Sequence, residues 1–355
     1  MHSHLCWLGA ALASLSVWAD QKSQTLDIYW VDSEGGGSTL IVTPANESVL
    51  IDTGNPGGRD SGRILQAAKL AGLAKIDHMV ITHWHTDHFG GAAEIAQLLP
   101  VGTLHHRAIP DRDPDGRVPS SFPVQIKPFR EISAPRATLK AGTAIPLKSI
   151  GAKKLALVCL AADQILAPST MAPTRTLNPL TGTVPPKAVD LSDNANSAVF
   201  VLEFGDFRFF DGGDLTWNIE EKLVTPYNLP GTVDVYQTNH HGLDVSNHPV
   251  LLQSLAPTVV VMNNGPKKGG QSGSFNAIRK VPTVTALYQM HRSMNVEADE
   301  NAPAAYLANH GTLTGAAAAQ CSANLIKLTV AADSLSYRIS IPATGATQSF
   351  QTKRR

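Results

Sequence analysis

Four metal-binding side chains fall within six residues in the run Thr82-His83-Trp84-His85-Thr86-Asp87-His88-Phe89-Gly90-Gly91. Imidazole nitrogens and a carboxylate suit zinc and similar divalent ions. On an extended segment His83 and His85 point the same way. Asp87 and His88 then turn toward a neighbouring position, so one run addresses two ions. A solvated histidine-rich loop is the alternative. Its spacing, and its place directly after the apolar stretch His78 to Thr82, favour a metal site.

The elements that must position this run read as strands first. Leu26, Ile28 and Trp30 alternate with Asp27 and Tyr29, and a turn at Gly35-Gly36-Gly37 leads to Ser38–Thr43. Val49-Leu50-Ile51 ends at Asp52-Thr53-Gly54, completing a meander. Ile64, Leu65, Ala68 and Ala71 give a helix closing at Gly72, and 83–91 reads as a loop. Ala92–Leu99 is a helix stopped by Pro100, and Thr103–His106 is a strand. This order implies a layered α/β domain. Prolines then cluster from 110 to 186, so 109–189 reads as a loop-rich insertion with a small sheet and a lid at 167–186. Strands resume at Ala198–Phe204, Phe207–Phe210, Val233–Gln237 and Thr258–Met262, with helices at Ile219–Val224 and Pro249–Leu255. Leu325–Val330 and Leu335–Ile341 form a hairpin.

The run T-H-x-H-x-D-H-x-G-G resembles the hallmark of the metallo-β-lactamase superfamily. That resemblance implies a four-layer αββα sandwich with two metals at the mouth between its sheets. Leu50-Ile51-Asp52-Thr53-Gly54 matches the family's early aspartate turn, which buttresses the metal run by hydrogen bonds. Asp211-Gly212-Gly213-Asp214 matches the turn supplying a bridging carboxylate, which assigns that role to Asp214. Asn239-His240-His241-Gly242 matches the late histidine motif. Asn194-Ala195-Asn196-Ser197, the FRFFDGGD segment, the HHG triplet and Leu139–Thr143 resemble the branch of competence-type DNA-internalisation metallohydrolases and phosphorylcholine esterases, over residues 25–295.

One departure matters. The classical enzymes carry another histidine before the bridging aspartate, near what is here Asn194 to Ser197. No histidine lies between His106 and His240. The resemblance therefore implies a first metal on His83, His85 and Asp214, completed by water or substrate. The second takes Asp87, His88, Asp214 and His241. His240, its neighbour on an extended segment, would face substrate or protonate a leaving group, with the two roles open to exchange. His105, His106, His248 and His291 read as packing or surface histidines.

The expected chemistry is hydrolysis by a metal-bound hydroxide, with Asp87 orienting the nucleophile. Zinc is the expected metal, with manganese or iron(II) as alternatives. The favoured substrate is a phosphodiester or phosphate ester. A lactone, thioester or β-lactam is the alternative, and a non-catalytic metal-binding recognition protein a third reading.

Composition bounds these readings. The 355 residues are 43% hydrophobic and 16% charged, enough for a sizeable core. Lys plus Arg and Asp plus Glu both total 29, which argues against extensive nucleic-acid binding and leaves a small-molecule or cell-envelope ester as the expected partner. The uncharged run Leu5–Val17 before Val17-Trp18-Ala19 reads as a signal peptide over 1–19, implying a periplasmic or secreted enzyme of residues 20–345 with a polar tail, 346–355. No segment has the length of a transmembrane helix. Cys6 would leave with the signal. Cys159 and Cys321 would either pair in an oxidising compartment or stay as separate buried thiols.

Overall fold

The computed structural model describes residues 24–151, 153–311 and 321–355; the expected signal peptide lies outside them. β1 (Leu26–Trp30), β2 (Thr39–Val42) and β3 (Ser48–Ile51) form the antiparallel meander. Helix α1 (Arg59–Leu70) carries the chain to β4 (Ile76–Ile81), parallel to β3. Helices α2 (Thr86–Phe89) and α3 (Ala92–Leu98) precede β5 (Val101–His106). Helices α4 (Phe122–Gln125) and α5 (Lys127–Arg130) precede β6 (Arg136–Thr138), and β4, β5 and β6 run parallel.

A second sheet follows: β7 (Ala144–Ile145), β8 (Leu155–Ala162), β9 (Ile165–Leu166), β10 (Val199–Phe204) and β11 (Phe207–Asp211). It continues through α6 (Trp217–Val224), β12 (Val235–Gln237), α7 (Pro249–Leu255), β13 (Val259–Met262), α8 (Ser272–Arg279), β14 (Ala286–His291) and β15 (Leu307–Asn309). From β11 to β15 neighbouring strands are parallel. The chain then returns to the first sheet through β16 (Ile326–Val330), β17 (Ser336–Ile341) and β18 (Ala346–Gln351), with β16 antiparallel to β1. Among the described residues each sheet has nine strands.

Side-chain alternation builds the layers. Ile28, Trp30, Val259 and Val261 enter a central core with Phe200, Phe207 and Phe209, while their chain neighbours Tyr29, Val260 and Met262 enter different cores. Tyr29, Leu40 and Leu50 meet Ile64, Ala68 and Ile95 of α1 and α3. Val260 and Met262 meet Ile219, Leu251 and Phe275 of α6, α7 and α8. Three cores separate four layers, the αββα sandwich, because successive residues of a strand face opposite ways. Truncating a central phenylalanine such as Phe200 to alanine would cost about 3–5 kcal/mol. No helix among the described residues is long and apolar enough to cross a membrane.

Three expectations change. The segment 109–189 is not a separate insertion: β6 extends the first sheet, and β8 pairs along β10 in the second. The Pro-rich stretch is tied down rather than free as a lid. Asn178 donates to Val224 O (2.8 Å) and Ser254 Oγ (2.8 Å), and Leu180 and Val184 pack on the outer core of the second sheet. Residues 346–351 are no tail, since β18 pairs with β17 over six residues. Polar residues alternate there with Phe350, a pattern an edge strand tolerates. Cys159 and Cys321 are both free, one buried in the central core and the other beside Asp32.

Candidate metal centre

The candidate residues gather at the carboxyl ends of parallel strands, where such sheets open a crevice. Asp52 follows β3, the His83–His88 run follows β4, Asp214 follows β11, and Asn239–Gly242 follows β12. Gln237 joins the sheets just below, accepting from Trp30 Nε1 (2.7 Å) and Thr39 Oγ1 (2.8 Å).

The expected loop after β4 contains a helical turn, α2, with His85 as its N-cap and His88 N donating to His85 O (2.9 Å). That turn brings Asp87 and His88 to Asp214 and His241, with the His88 ring still packed on His83 at 4.1 Å between centroids. Asp52 accepts from Thr82 N (2.8 Å) and Thr82 Oγ1 (2.7 Å), and meets His88 Nδ1 at 2.6 Å. The chain above this pair must be bare: a Cβ on Gly37 would stand 2.6 Å from His88 Nδ1.

The hydrogen-bond network fixes which imidazole nitrogens are free. His88 Nδ1–H donates to Asp52, so Nε2 is the nitrogen an ion would take, in place of the proton that Asp214, Asp52 and Asp87 favour on this imidazole in the metal-free protein. Thr82 gives its own proton to Asp52 and therefore accepts from His83 Nδ1 (3.0 Å), leaving His83 Nε2 free. His85 Nε2 lies 3.0 Å from both oxygens of Asp115, leaving Nδ1 free. His83 Nε2 and His85 Nδ1 then face each other at 3.1 Å. Two lone pairs at that distance repel unless a cation or proton lies between them.

Asp214 sits at the middle. Its Oδ2 is 3.2 Å from His88 Nε2, 3.6 Å from His240 Nε2 and 3.9 Å from His83 Nε2; its Oδ1 is 3.2 Å from His241 Nε2. Asp87 Oδ2 lies 3.5 Å from His88 Nε2 and 3.8 Å from His241 Nε2. Ligand atoms of Asp87, His88, Asp214 and His241 all lie within 4.8 Å of one another. His88 Nε2, Asp214 Oδ1 and both nitrogens of His241 are buried without a hydrogen-bond partner. Buried polar atoms without partners are costly, and this set of nitrogens and carboxylate oxygens fits a divalent ion.

With no ion bound, the carboxylates and imidazoles balance one another's charge. Burial opposes charge on Asp214, yet His241, His88 and His240 hold its carboxyl well below the usual range. Burial likewise opposes charge on His88, but Asp214, Asp52 and Asp87 outweigh it and hold the imidazole well above its usual value. Burial pushes His240 down to about 4, against the pull of Asp214. The ammonium of Lys268, on the loop after β13, pairs with Asp87.

All six residues expected as ligands thus converge, with His240 beside them. Sequence reasoning missed Asp115, which lies in the Pro-rich region, and Lys268, a lone cation in a glycine-rich loop. His105 instead bonds His78 (3.0 Å), His106 bonds its own neighbour's carbonyl, and His248 caps α7 by accepting from Val250 N (3.1 Å). His291 bonds Asp32 at 2.7 Å, whose other oxygen pairs with Arg63. Asp32, His291 and Cys321 bring ligand atoms within 4.8 Å of one another, and His291 Nδ1 is buried without a partner.

Residues 32–145 match the model of the metallo-β-lactamase superfamily. The match covers 114 of the 355 residues. β2, β3 and the His83–His88 run lie inside the match, and β1, Asp214 and the late histidines lie outside it. An atrochrysone carboxyl ACP thioesterase of a Cryptosporiopsis species is 33% identical over 105 residues, 28% of this chain and 31% of that protein. Competence protein ComA of Neisseria gonorrhoeae is 22% identical over 231 residues, 65% of this chain and 26% of ComA. The chain spans less than a third of the length of these curated relatives. Among solved structures, the metallo-β-lactamase fold protein YhfI of Bacillus subtilis aligns over 75% of this chain and 96% of its own, at 9% identity and a TM-score of 0.44.

Proposed function

We propose that this chain is a dinuclear metal-dependent hydrolase of phosphate esters. The observation that carries the reading is Asp214, whose carboxylate faces His88 and His83 through one oxygen and His241 through the other. His83, His85 and Asp214 would hold one ion; Asp87, His88, Asp214 and His241 would hold the second. Two ions so held would supply a water of lowered pKa and a Lewis acid for the substrate's oxygen, and zinc suits the donor set.

The chain's own groups do the rest. Lys268, freed from Asp87 when that carboxylate turns to an ion, presents an ammonium at the mouth for an anionic substrate. Arg59 lines the same side but is paired with Glu34 and Asp60. On the far side a cavity of about 420 Å³, lined by Val189, Asn194, Trp217, His240 and Val245, is open to the ester's organic group. One ammonium on one side and a recess walled partly by Val189, Trp217 and Val245 on the other suit a small anionic ester better than a long nucleic acid. The similarity to ComA adds support for this branch; the Leu5–Val17 run supports export, with a mature chain starting near Asp20.

A second reading, hydrolysis of a thioester or another carboxyl derivative, is supported by the thioesterase relatives. A screen of the metal-loaded protein with bis-nitrophenyl phosphate, a phosphorylcholine ester, a lactone, a thioester and a cephalosporin separates the two. The phosphate esters should be turned over fastest. Faster thioester turnover would transfer the assignment, and rates no higher than the metal-free protein's on every substrate would end the hydrolase reading.

A further inference from the structure

The turn Asn239–Gly242 has an unusual backbone. His240 (φ 52°, ψ 42°) and His241 (φ 55°, ψ 18°) are both left-handed, one after the other. Such a conformation costs a non-glycine residue about 1–2 kcal/mol, and two in succession persist only where surrounding contacts enforce them. The contacts are present. His240 N donates to Gly213 O (3.0 Å), Gly270 N donates to His241 O (2.9 Å), and Asn247 Nδ2 donates to Asn239 O (3.1 Å). The consequence is geometric. On an extended segment the two imidazoles would point opposite ways, whereas here both reach Asp214, His240 at Oδ2 (3.6 Å) and His241 at Oδ1 (3.2 Å).

Two long polar contacts, from Ser246 and Asn194, flank the His240 ring. Ser246 Oγ gives its proton to Leu215 O (2.7 Å), so toward His240 Nδ1, 3.5 Å away, it can only accept. Nδ1 then carries the proton and Nε2 the lone pair. Asn194 Nδ2 lies 3.4 Å from that Nε2. The carboxylate oxygen that Nε2 faces, Oδ2, is the one that His83 and His88 also face, whereas His241 faces Oδ1.

We propose that His240 is the third imidazole of the first metal position, joining His83 Nε2, His85 Nδ1 and Asp214 Oδ2. The two adjacent histidines of one turn then serve different ions. The first position becomes a three-histidine site with a bridging carboxylate, and Asn194 contacts a ligand instead of being one. This rests on the dinuclear reading above and replaces the expectation that His240 acts on substrate.

The test is His240→Asn, since asparagine tolerates the left-handed conformation and lacks the imidazole's reach. Metal content is measured after dialysis against graded chelator, with circular dichroism confirming the fold, and His241→Asn is made in parallel. Wild type should bind two ions. His240→Asn should retain the second-site ion and bind the other about 100-fold or more weakly, exceeding the roughly 10–100-fold cost of losing only an outer contact. His241→Asn should lose the opposite ion. Cobalt-loaded wild type should show a hyperfine-shifted, exchangeable N–H signal from His240 Nδ1 that disappears in His240→Asn. Two ions bound with wild-type affinity in His240→Asn, or no such signal in wild type, overturns the proposal while leaving the hydrolase reading intact. A wild type that binds no metal ends both.

Discussion

Asp52 touches no ion in the proposed site, yet replacing it should weaken metal binding, and the structure says how. Its Oδ2 serves His88 Nδ1 at 2.6 Å and Thr82 Oγ1 at 2.7 Å, while Oδ1 accepts from Thr82 N at 2.8 Å. In Asp52→Asn one oxygen becomes an amino group, and either orientation fails. With the amide oxygen kept at the Oδ2 position, the amino group meets the Thr82 N–H, leaving two buried donors facing each other. With it at the Oδ1 position, the amino group faces His88 Nδ1, which must then accept. The proton moves to Nε2, the atom aimed at Asp214, and a protonated nitrogen cannot ligate. The first arrangement leaves buried donors unsatisfied at about 1–3 kcal/mol; the second disables a ligand.

Loss of such an outer partner lowers affinity by about 10–100-fold, or about 1.4–2.8 kcal/mol at 25 °C. The expected result is a drop of that size at the second ion, with a smaller change at the first. A lower denaturation midpoint of the metal-free protein should accompany it. Competition titration with a fluorescent chelator reads the affinities, and urea unfolding of the metal-free form reads the stability. Wild-type affinity at both positions together with an unchanged midpoint would refute the tautomer argument and, with it, the assignment of His88 Nε2 as a ligand atom.

Asp214→Ala removes the carboxylate shared by His83, His88, His240 and His241, so elemental analysis should find both ions lost; retention of either at full occupancy contradicts bridging. Glu220 is fully buried, with Oε1 accepting from Asn239 Nδ2 (2.6 Å) and Asn247 N (2.8 Å) and Oε2 from His248 N (2.7 Å). In Glu220→Gln the amino group must oppose one of these donors, so the metal-free protein should lose about 1–3 kcal/mol in denaturant titration, and both ions should bind less tightly because the histidine turn loosens. Cys159 is buried, with its thiol pushed up to about 12 by that burial, whereas Cys321 is part-exposed. In the native protein Cys321 should therefore label ahead of Cys159 with a maleimide, and failure of both to label under denaturing conditions without reductant would indicate a disulfide.

The sequence showed what periodicity and local spacing carry. The alternation of β1, the buried strand before His83 and the histidine run are local patterns, and each element lies within a residue or two of its expected place. The sandwich itself rested on family resemblance, and three cores bear it out. What local pattern could not carry was pairing at a distance. Leu155–Ala162 is apolar enough to be a strand anywhere; only its register with β10 places it in the second sheet. Asp115 shows no motif, because its meaning comes from His85, thirty positions earlier, at 3.0 Å. The tail was misjudged because β18 is an edge strand whose polar side faces outward, and composition alone reads that as unstructured.

The histidine pair shows why the remaining gap was physical. Asn239-His240-His241-Gly242 contains one glycine, which suggests one left-handed residue, Gly242 at φ 82°. Nothing local predicts two more before it. The turn is imposed from outside, by Gly213 on one loop, Gly270 on another and the Glu220 carboxylate on α6. Those three elements must assemble before the backbone can be driven into a conformation it would not choose alone. An extended turn would satisfy the backbone more cheaply but would turn one imidazole away from Asp214. The strained turn keeps both beside that carboxylate, the arrangement by which the proposed first position would gain a third imidazole in a chain with no histidine between positions 106 and 240.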